Sequence, residues 1–216
     1  MIMKVNEALN ARHSTRAFLS APVKRGTLDA VLESAARTPS WANSQPWEVF
    51  VATGDTMDRI RKAYMEKYEH KAETSPETPR PAQWSEPTIK RREQLRPGMT
   101  RDCGESAKQF GELNQAMFNA PAVIYICMDK ILSEWSLYDI GAYSQSIMLA
   151  AVEHGLATIP AITLTLFPDV LRSELDIPDN LKITIGIAIG YADTDHGINR
   201  FVSDRKTLAE TVRYFD

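Results

Sequence analysis

Two arginines, a histidine and two hydroxyl side chains occupy five consecutive positions, Arg12-His13-Ser14-Thr15-Arg16. Guanidinium groups bind phosphate through paired hydrogen bonds, and serine and threonine hydroxyls can add further donors. Because Arg12 and Arg16 are four positions apart, they can approach one anion from two sides of a short loop. The run therefore indicates a phosphate site. A solvated charge cluster is the alternative, and it is the more frequent explanation of a short basic motif taken alone.

A second polar segment combines hydrogen-bonding side chains with two tryptophans. Its sequence is Pro39-Ser40-Trp41-Ala42-Asn43-Ser44-Gln45-Pro46-Trp47. Amides and hydroxyls beside flat apolar surface suit a planar heteroaromatic ligand with carbonyl and imide edges. The alternative is a plain asparagine or serine turn with Trp47 in the core.

The motifs of several large enzyme classes are missing from the sequence. It has no Gly-x-Gly-x-x-Gly after a predicted strand and no Gly-x-x-x-x-Gly-Lys loop, so dedicated glycine cradles for phosphate are lacking. It also has no Gly-x-Ser-x-Gly elbow and no His-Glu-x-x-His helix. The histidines are isolated and the cysteines are only Cys103 and Cys127, so we predict no metal site.

The charge balance limits the partners of the protein. Its 216 residues include 25 Lys plus Arg and 28 Asp plus Glu, which gives a formal net charge of −3. A mildly acidic chain argues against binding to nucleic acid or to an anionic membrane, so any anion site must be local. No window approaches the roughly 20 apolar residues of a membrane span, and no leader-like segment begins the sequence. These features predict a soluble cytosolic protein.

Apolar spacing predicts the elements that must position these residues. Continuous apolar runs at 122–128 and 181–191 predict buried strands, and shorter strands are expected at 47–53 and 158–162. Amphipathic patterns predict helices at 27–37, 55–69 and 105–119. The segment 136–154 is apolar or small around nearly its whole circumference, which is typical of a central helix buried on several sides, as in a core or at a subunit interface. Strands and helices do not alternate regularly, so the sequence favours a single α+β domain over residues 1–216.

Residues 71–101 differ in character from the rest of the chain. Five of the 12 prolines fall there among many charges and little apolar periodicity. We predict a loop insertion within the domain. Long loops of this kind serve as lids or binding loops, or are mobile surface excursions, and the sequence leaves both interpretations open.

Four ordered segments resemble the FMN-dependent nitroreductase family in type and spacing, and together they cover nearly the whole chain. They are Arg12-His13-Ser14-x-Arg16, Pro39-Ser40-x-x-Asn43-x-Gln45-Pro46-Trp47, His154-Gly155-Leu156 and Asn199-x-Phe201-x-x-x-Arg205. The resemblance implies a nitroreductase-like α+β sandwich with a central mixed sheet, flanking helices and a long central helix at a dimer interface. It also implies a homodimer with FMN bound between the subunits.

The resemblance assigns roles to the basic residues. Arg12 and Arg205 are expected to hold the FMN phosphate, and His13 and Ser14 to line the phosphate and the ribityl chain. Arg16 is expected near the pyrimidine edge of the flavin, where it would stabilise negative charge near N1. No residue is expected to act as a catalytic acid or base, because the cofactor carries the chemistry.

The resemblance also assigns residues to the flavin ring. From the other subunit it implies contacts by Pro39, Ser40, Trp41, Asn43 and Gln45. Backbone groups at Ile162 and Thr163 are expected to face the ring, and Asn114 corresponds to an asparagine that contacts the flavin.

The implied activity is a ping-pong oxidoreductase reaction. NADH or NADPH would bind transiently, pass a hydride to flavin N5 and leave before a nitroaromatic or quinone enters the same space. Two alternatives remain open: another reaction on the same fold, such as dehydrogenation or reductive dehalogenation, and a non-catalytic flavin-binding redox sensor.

Overall fold

The computed structural model of the chain describes residues 3–215. The helices are α1 Val5–Ala11, α2 Arg25–Ala35, α3 Gly54–Glu69, α4 Glu86–Glu93, α5 Leu95–Cys103, α6 Phe110–Gln115, α7 Trp135–Glu153, α8 Pro168–Leu175 and α9 Leu208–Thr211. The strands are β1 Glu48–Thr53, β2 Ala122–Asp129, β3 Ala157–Ala161 and β4 Leu181–Gly190. Short 3-10 turns occupy Trp41–Asn43, Gly104–Gln109, Met117–Asn119, Ile162–Thr165 and Gly197–Arg200.

The four strands form one sheet in the order β1-β2-β4-β3, and neighbouring strands are antiparallel throughout. Helices cover this sheet, which confirms the predicted α+β class. The predicted mixed character is limited, within residues 3–215, to one parallel bridge between Ser14 and Thr158. The N-terminal segment adds only this residue pair to the free edge of β3, which is too short a pairing to count as a further strand.

Successive side chains of the strands lie on opposite faces of the sheet and pack into two separate hydrophobic cores. Val123, Tyr125 and Cys127 enter one core together with α3 and α8. Ile124 and Ile126 enter the other core together with α2 and α7. Because the central strands β2 and β4 are buried on both faces, their sequences are continuous apolar runs, and both strand predictions are confirmed.

Helix α7 coincides with the predicted central helix to within one residue at each end. Its inner side chains, among them Ile140 and Ile147, pack into the core beside α2. Its N-terminal turn leaves Trp135 and Tyr138 exposed, with their rings stacked at a centroid distance of 6.2 Å. Within residues 3–215, no helix combines the length and the apolar character needed to cross a bilayer.

The segment 71–101 is not a continuous loop, because residues 86–103 form α4 and α5. Its prolines are compatible with helix: Pro87 lies in the first turn of α4 and Pro97 is the third residue of α5. The first backbone N–H groups of a helix have no partner inside it, so a proline there removes no hydrogen bond. The helices were hidden from pattern analysis because they bury few apolar residues, with Met99 and Cys103 inside and Ile89 and Leu95 exposed.

The predicted continuous helix at 105–119 is also wrong in detail. The 3-10 turn Gly104–Gln109 precedes α6, and a second turn follows it at Met117–Asn119. All three residues of that second turn have positive φ, between 53° and 60°. This backbone is unfavourable for residues with a Cβ, and the complete burial of the Met117 and Phe118 side chains offsets the cost.

Candidate functional site

Asn199 joins the N-terminal motif to the C-terminal motif. Its side-chain oxygen accepts hydrogen bonds from the backbone N–H groups of Arg16, at 2.7 Å, and Ala17, at 3.2 Å. Its side-chain NH2 donates to the carbonyls of Ala17, at 2.8 Å, and Asp193, at 2.9 Å. An amide has a donor and an acceptor on one planar group, so it can satisfy extended backbone in this way. Two segments more than 180 positions apart are thereby held together.

The joined motifs enclose a cavity of about 390 Å³, which we call the arginine cavity. It brings together five residues that the sequence assigned to the site, namely Arg12, His13, Ser14, Arg16 and Arg205. The remaining lining residues are Leu9, Asn10, Gln145, Phe201, Val202 and Ser203.

Arg12 and Arg205 are two unneutralised positive charges at this cavity. Burial of Arg12 and, to a smaller extent, the charge of Arg205 lower the pKa of the Arg12 guanidinium. Arg205 donates hydrogen bonds at 2.8 Å to the carbonyl and hydroxyl oxygens of Ser203. Within residues 3–215 neither arginine forms an ion pair. Like charges held together without a carboxylate favour the binding of an anion.

Arg16 adds a buried donor that lacks an acceptor. Its Nη1 donates to the Ser14 carbonyl at 2.9 Å, and its guanidinium lies over the Phe201 ring at 5.2 Å. Its Nε is buried and has no hydrogen-bond partner among the described residues. Burial lowers the pKa of this side chain, although arginine remains protonated in water at neutral pH. A buried cation with an unsatisfied N–H fits a ligand that presents an oxygen or nitrogen acceptor.

The segment 39–45 forms an exposed turn outside the arginine cavity of its own chain. Trp41 is 67% exposed, and Ala42, Asn43 and Gln45 have positive φ values of 50°, 56° and 41°. Both carboxylate oxygens of the buried Asp139 on α7 accept from the Trp41 backbone N–H, at 3.2 and 3.3 Å.

Two further hydrogen bonds hold this turn. The Ser40 hydroxyl accepts from the Gln45 N–H at 2.9 Å, and the Gln45 side chain donates to the Asn43 side chain at 3.2 Å. Pro39 begins the turn and is exposed. The chain therefore presents these five predicted site residues on its surface in a fixed conformation, and does not bring them to the arginines.

Asn114, Ile162 and Thr163 form a third group, and none of them lines the arginine cavity. The Thr163 hydroxyl donates to the Asn114 side-chain oxygen at 3.3 Å, and the Asn114 NH2 donates to the Phe110 carbonyl at 2.8 Å. Ile162 and Thr163 begin the 3-10 turn that follows β3. Asn114 of α6 therefore contacts the turn that follows β3.

Sequence analysis missed the parts played by Gln145, Asn199 and Phe201. Gln145 lies between Ser144 and Ser146 on the otherwise apolar helix α7, and this short polar run was the available signal. Asn199 and Phe201 belong to a motif that the sequence singled out, but their contacts with residues 16 and 17 depend on the fold.

The fold is that of an α+β protein, and its arginine cavity gathers three arginines without a lining carboxylate. A family model, that of the nitroreductase family, matches residues 9–191. A chloronitrobenzene nitroreductase from Comamonas testosteroni is 31% identical over 218 residues, covering 97% of this chain and 96% of that protein. The chain therefore belongs to the nitroreductase family, which confirms the resemblance seen in its motifs and the expectation of an oxidoreductase.

Solved structures agree with this assignment. The FMN and NADPH-dependent nitroreductase NfnB from Sphigopyxis sp. strain HMH superposes with a TM-score of 0.90 at 29% identity, covering 99% of this chain and 100% of that one. The FMN-dependent NfnB from Mycobacterium smegmatis, solved in complex with NADPH, gives a TM-score of 0.89 at 28% identity, covering 98% and 97%.

Proposed function

We propose that this chain is an FMN-dependent NAD(P)H oxidoreductase that reduces nitroaromatic or quinone-type acceptors in a ping-pong cycle. The observation that carries the proposal is the arginine cavity, in which Arg12, Arg16 and Arg205 meet without a carboxylate. Two further findings support these cofactors. The chain belongs to the nitroreductase family, and its solved relatives are named as FMN- and NADPH-dependent.

The donors of the arginine cavity fit the chemistry of FMN. Arg12 and Arg205 would hold the phosphate dianion, and His13 and Ser14 would line the phosphate and ribityl chain. The unsatisfied Nε of Arg16 would meet an acceptor at the pyrimidine edge of the ring. Each of these contacts would be a charge-assisted or polar hydrogen bond, and none of the three arginines is neutralised by an ion pair within residues 3–215.

The exposed turn 39–45 supports a homodimer in which each subunit completes the site of the other. Its side chains point to solvent in the single chain, close to the helix that exposes Trp135 and Tyr138. Exposed aromatic surface of this kind marks interaction sites on soluble proteins.

Sedimentation of the purified protein at twice the monomer mass is expected, and a monomer that binds FMN would contradict this arrangement.

When bound, FMN supplies hydride transfer at its N5 atom. The protein then needs to bind and orient the cofactor and to exclude water, so this function requires no catalytic acid or base. Arg16 holds a positive charge at one fixed position by its bond to Ser14 and its stacking on Phe201. A charge fixed before the reaction stabilises developing negative charge without reorganisation.

A stopped-flow experiment tests the proposed function. We expect the flavin of the purified protein to be reduced by NADH or NADPH, and the reduced protein to be reoxidised by a nitroaromatic or quinone. In a separate steady-state measurement, double-reciprocal plots of the initial rate against NAD(P)H concentration, at several acceptor concentrations, should give the parallel lines of a ping-pong order. Flavin that neither nicotinamide reduces would contradict the proposal and favour a redox sensor.

The positive charge of Arg16 is expected to raise the reduction potential of the bound flavin. In an Arg16→Ala variant the two-electron potential should fall by about 30 to 60 mV, since the loss of about 1.5 to 3 kcal/mol of charged hydrogen bonding corresponds to that range. Redox titration against a reference dye measures the shift. An Arg16→Lys variant retains the charge and should recover part of it, whereas equal potentials in the wild type and the alanine variant would rule out this role.

A further inference from the structure

A second and larger depression adjoins the arginine cavity. It measures about 900 Å³ and lies between helices α4 and α5 on one side and residues 201–210 on the other. We call it the outer groove. Phe201, Ser203 and Arg205 line both the outer groove and the arginine cavity, so the two depressions adjoin at these residues. A ligand longer than one cavity can therefore extend from the flavin site along the groove.

The outer groove is basic in a chain that is acidic overall. Its lining includes only three carboxylates, and its six cations are Lys90, Arg91, Arg92, Arg101, Arg205 and Lys206. Some of these charges are already engaged. Lys90 pairs with Glu86 at 2.7 Å, Arg101 pairs with Asp102 at 2.7 Å, and Arg92 lies over the Trp84 ring at 4.3 Å.

Four of the six cations form no ion pair within residues 3–215. Of these, Arg92 lies over Trp84 and Arg205 faces the arginine cavity, which leaves Arg91 and Lys206 for a ligand in the groove. They come from opposite walls, Arg91 from α4 and Lys206 from the segment after Arg205. Glu210 lines the same groove, and hydrogen bonds from Thr207 and then the charges of Lys206 and Arg91 lower the pKa of its carboxyl group. With Glu86 and Asp102, which pair with Lys90 and Arg101, five carboxylates face the six cations, so the groove keeps a small net positive charge.

We propose that the outer groove binds the 2′-phosphate of NADPH through Arg91 and Lys206, and so makes NADPH the preferred electron donor. This inference rests on the proposed function. The chain has no glycine loop for a dinucleotide, so an anionic nucleotide must be held by side-chain cations. The nicotinamide has to reach the flavin in the arginine cavity, and the adenosine end would then lie in the adjoining groove. The other anionic ligand to consider is an aromatic acceptor that carries a carboxylate. It fits the groove less well, because its ring must lie against the flavin and only its carboxylate could reach toward the groove.

The test compares Arg91→Ala, Lys206→Ala and the double variant with a matched control, Lys108→Ala. Lys108 is paired with Glu105 and does not line the groove. Stopped-flow reduction gives kcat/KM for NADPH and for NADH in each flavin-loaded protein. We expect the NADPH to NADH ratio to fall about tenfold in each single variant and further in the double variant, because each loses a charged hydrogen bond to phosphate. The control should keep the wild-type ratio.

A binding measurement gives a readout that does not depend on turnover. Isothermal titration of the flavin-loaded protein with adenosine 2′,5′-bisphosphate should show binding at least about tenfold tighter than with 5′-AMP, and the double variant should lose this difference. Equal binding of the two nucleotides by the wild type, or an unchanged NADPH to NADH ratio in the double variant, would overturn the proposal. So would a double variant that loses activity only toward carboxylated acceptors. If neither nicotinamide reduces the flavin, the proposed function fails, and the titration still decides whether the groove binds the phosphate.

Discussion

Replacing Arg205 with alanine is expected to raise the dissociation constant for FMN by about tenfold to a hundredfold, because a hydrogen bond to a charged group contributes about 1.5 to 3 kcal/mol. Arg205 forms no ion pair within residues 3–215, so its charge is available for the phosphate. Its Nη1 is oriented by the backbone and hydroxyl oxygens of Ser203. Titration of the flavin-free protein, followed by flavin fluorescence, measures the change.

Riboflavin distinguishes a phosphate contact from a general loss of the site. It has the ring and ribityl chain of FMN but lacks the phosphate, so its affinity for the Arg205→Ala variant should stay at the wild-type value. An Arg213→Ala variant is the matched control, since Arg213 is an exposed arginine whose recorded hydrogen bonds are to backbone carbonyls of α9 and the residue after it. Equal losses for FMN and riboflavin would show that Arg205 does not act through the phosphate.

The second large effect is on stability and concerns Arg172. The free energy of unfolding of an Arg172→Ala variant should fall by about 3 kcal/mol, since removing one partner of a mostly buried ion pair leaves the other without compensation. Arg172 and Glu77 are 17% and 20% exposed, and their closest atoms are 2.7 Å apart. Arg172 also donates to the carbonyls of Ile177, Pro178 and Leu181. The alanine variant would leave these acceptors and the Glu77 carboxylate without their donor.

The loss of stability in the Arg172→Ala variant should extend beyond the Arg172–Glu77 ion pair, because Glu77 also contacts the sheet. Its second carboxylate oxygen accepts from the Ile183 backbone N–H of β4 at 2.6 Å, so the segment before α4 is attached to the central sheet. For a chain of this size the loss corresponds to a decrease in Tm of roughly 10 °C. Differential scanning calorimetry on the flavin-free protein measures it without a contribution from cofactor binding.

Arg59 offers the control for this prediction. It forms an ion pair with Glu174 at the same distance, 2.7 Å, but is 55% exposed. An exposed pair is weakened by solvent, so Arg59→Ala should cost less than about 1 kcal/mol. If the two alanine variants lost equal stability, burial would not be the source of the Arg172 effect.

The sequence by itself determined the centre of the fold. Strands β2 and β4 and helix α7 were predicted because complete burial demands apolar residues at nearly every position, and such runs are visible without any knowledge of neighbours. The four motifs identified the family for a related reason. Binding a phosphorylated, planar cofactor requires particular side chains at fixed spacing, and the nitroreductase family model matches residues 9–191.

The sequence did not reveal the helices that bury few apolar side chains. Helices α4 and α5 contribute Met99 and Cys103 to the core and otherwise carry charge, so no apolar period marked them. The break of the 105–119 segment was hidden because two of its three positive φ values occur at Met117 and Phe118, residue types that rarely adopt them.

Only the tertiary structure decided which charges are free. In the sequence Arg12, Arg172 and Arg205 are equivalent cations, yet Arg172 is neutralised by Glu77, 95 positions away, while Arg12 and Arg205 face one cavity without a carboxylate. Asn199 likewise brings residues 199–205 to the N-terminal motif through hydrogen bonds to Arg16 and Ala17. Electrostatic pairing and long-range hydrogen bonds depend on distance in space, which local sequence patterns do not encode.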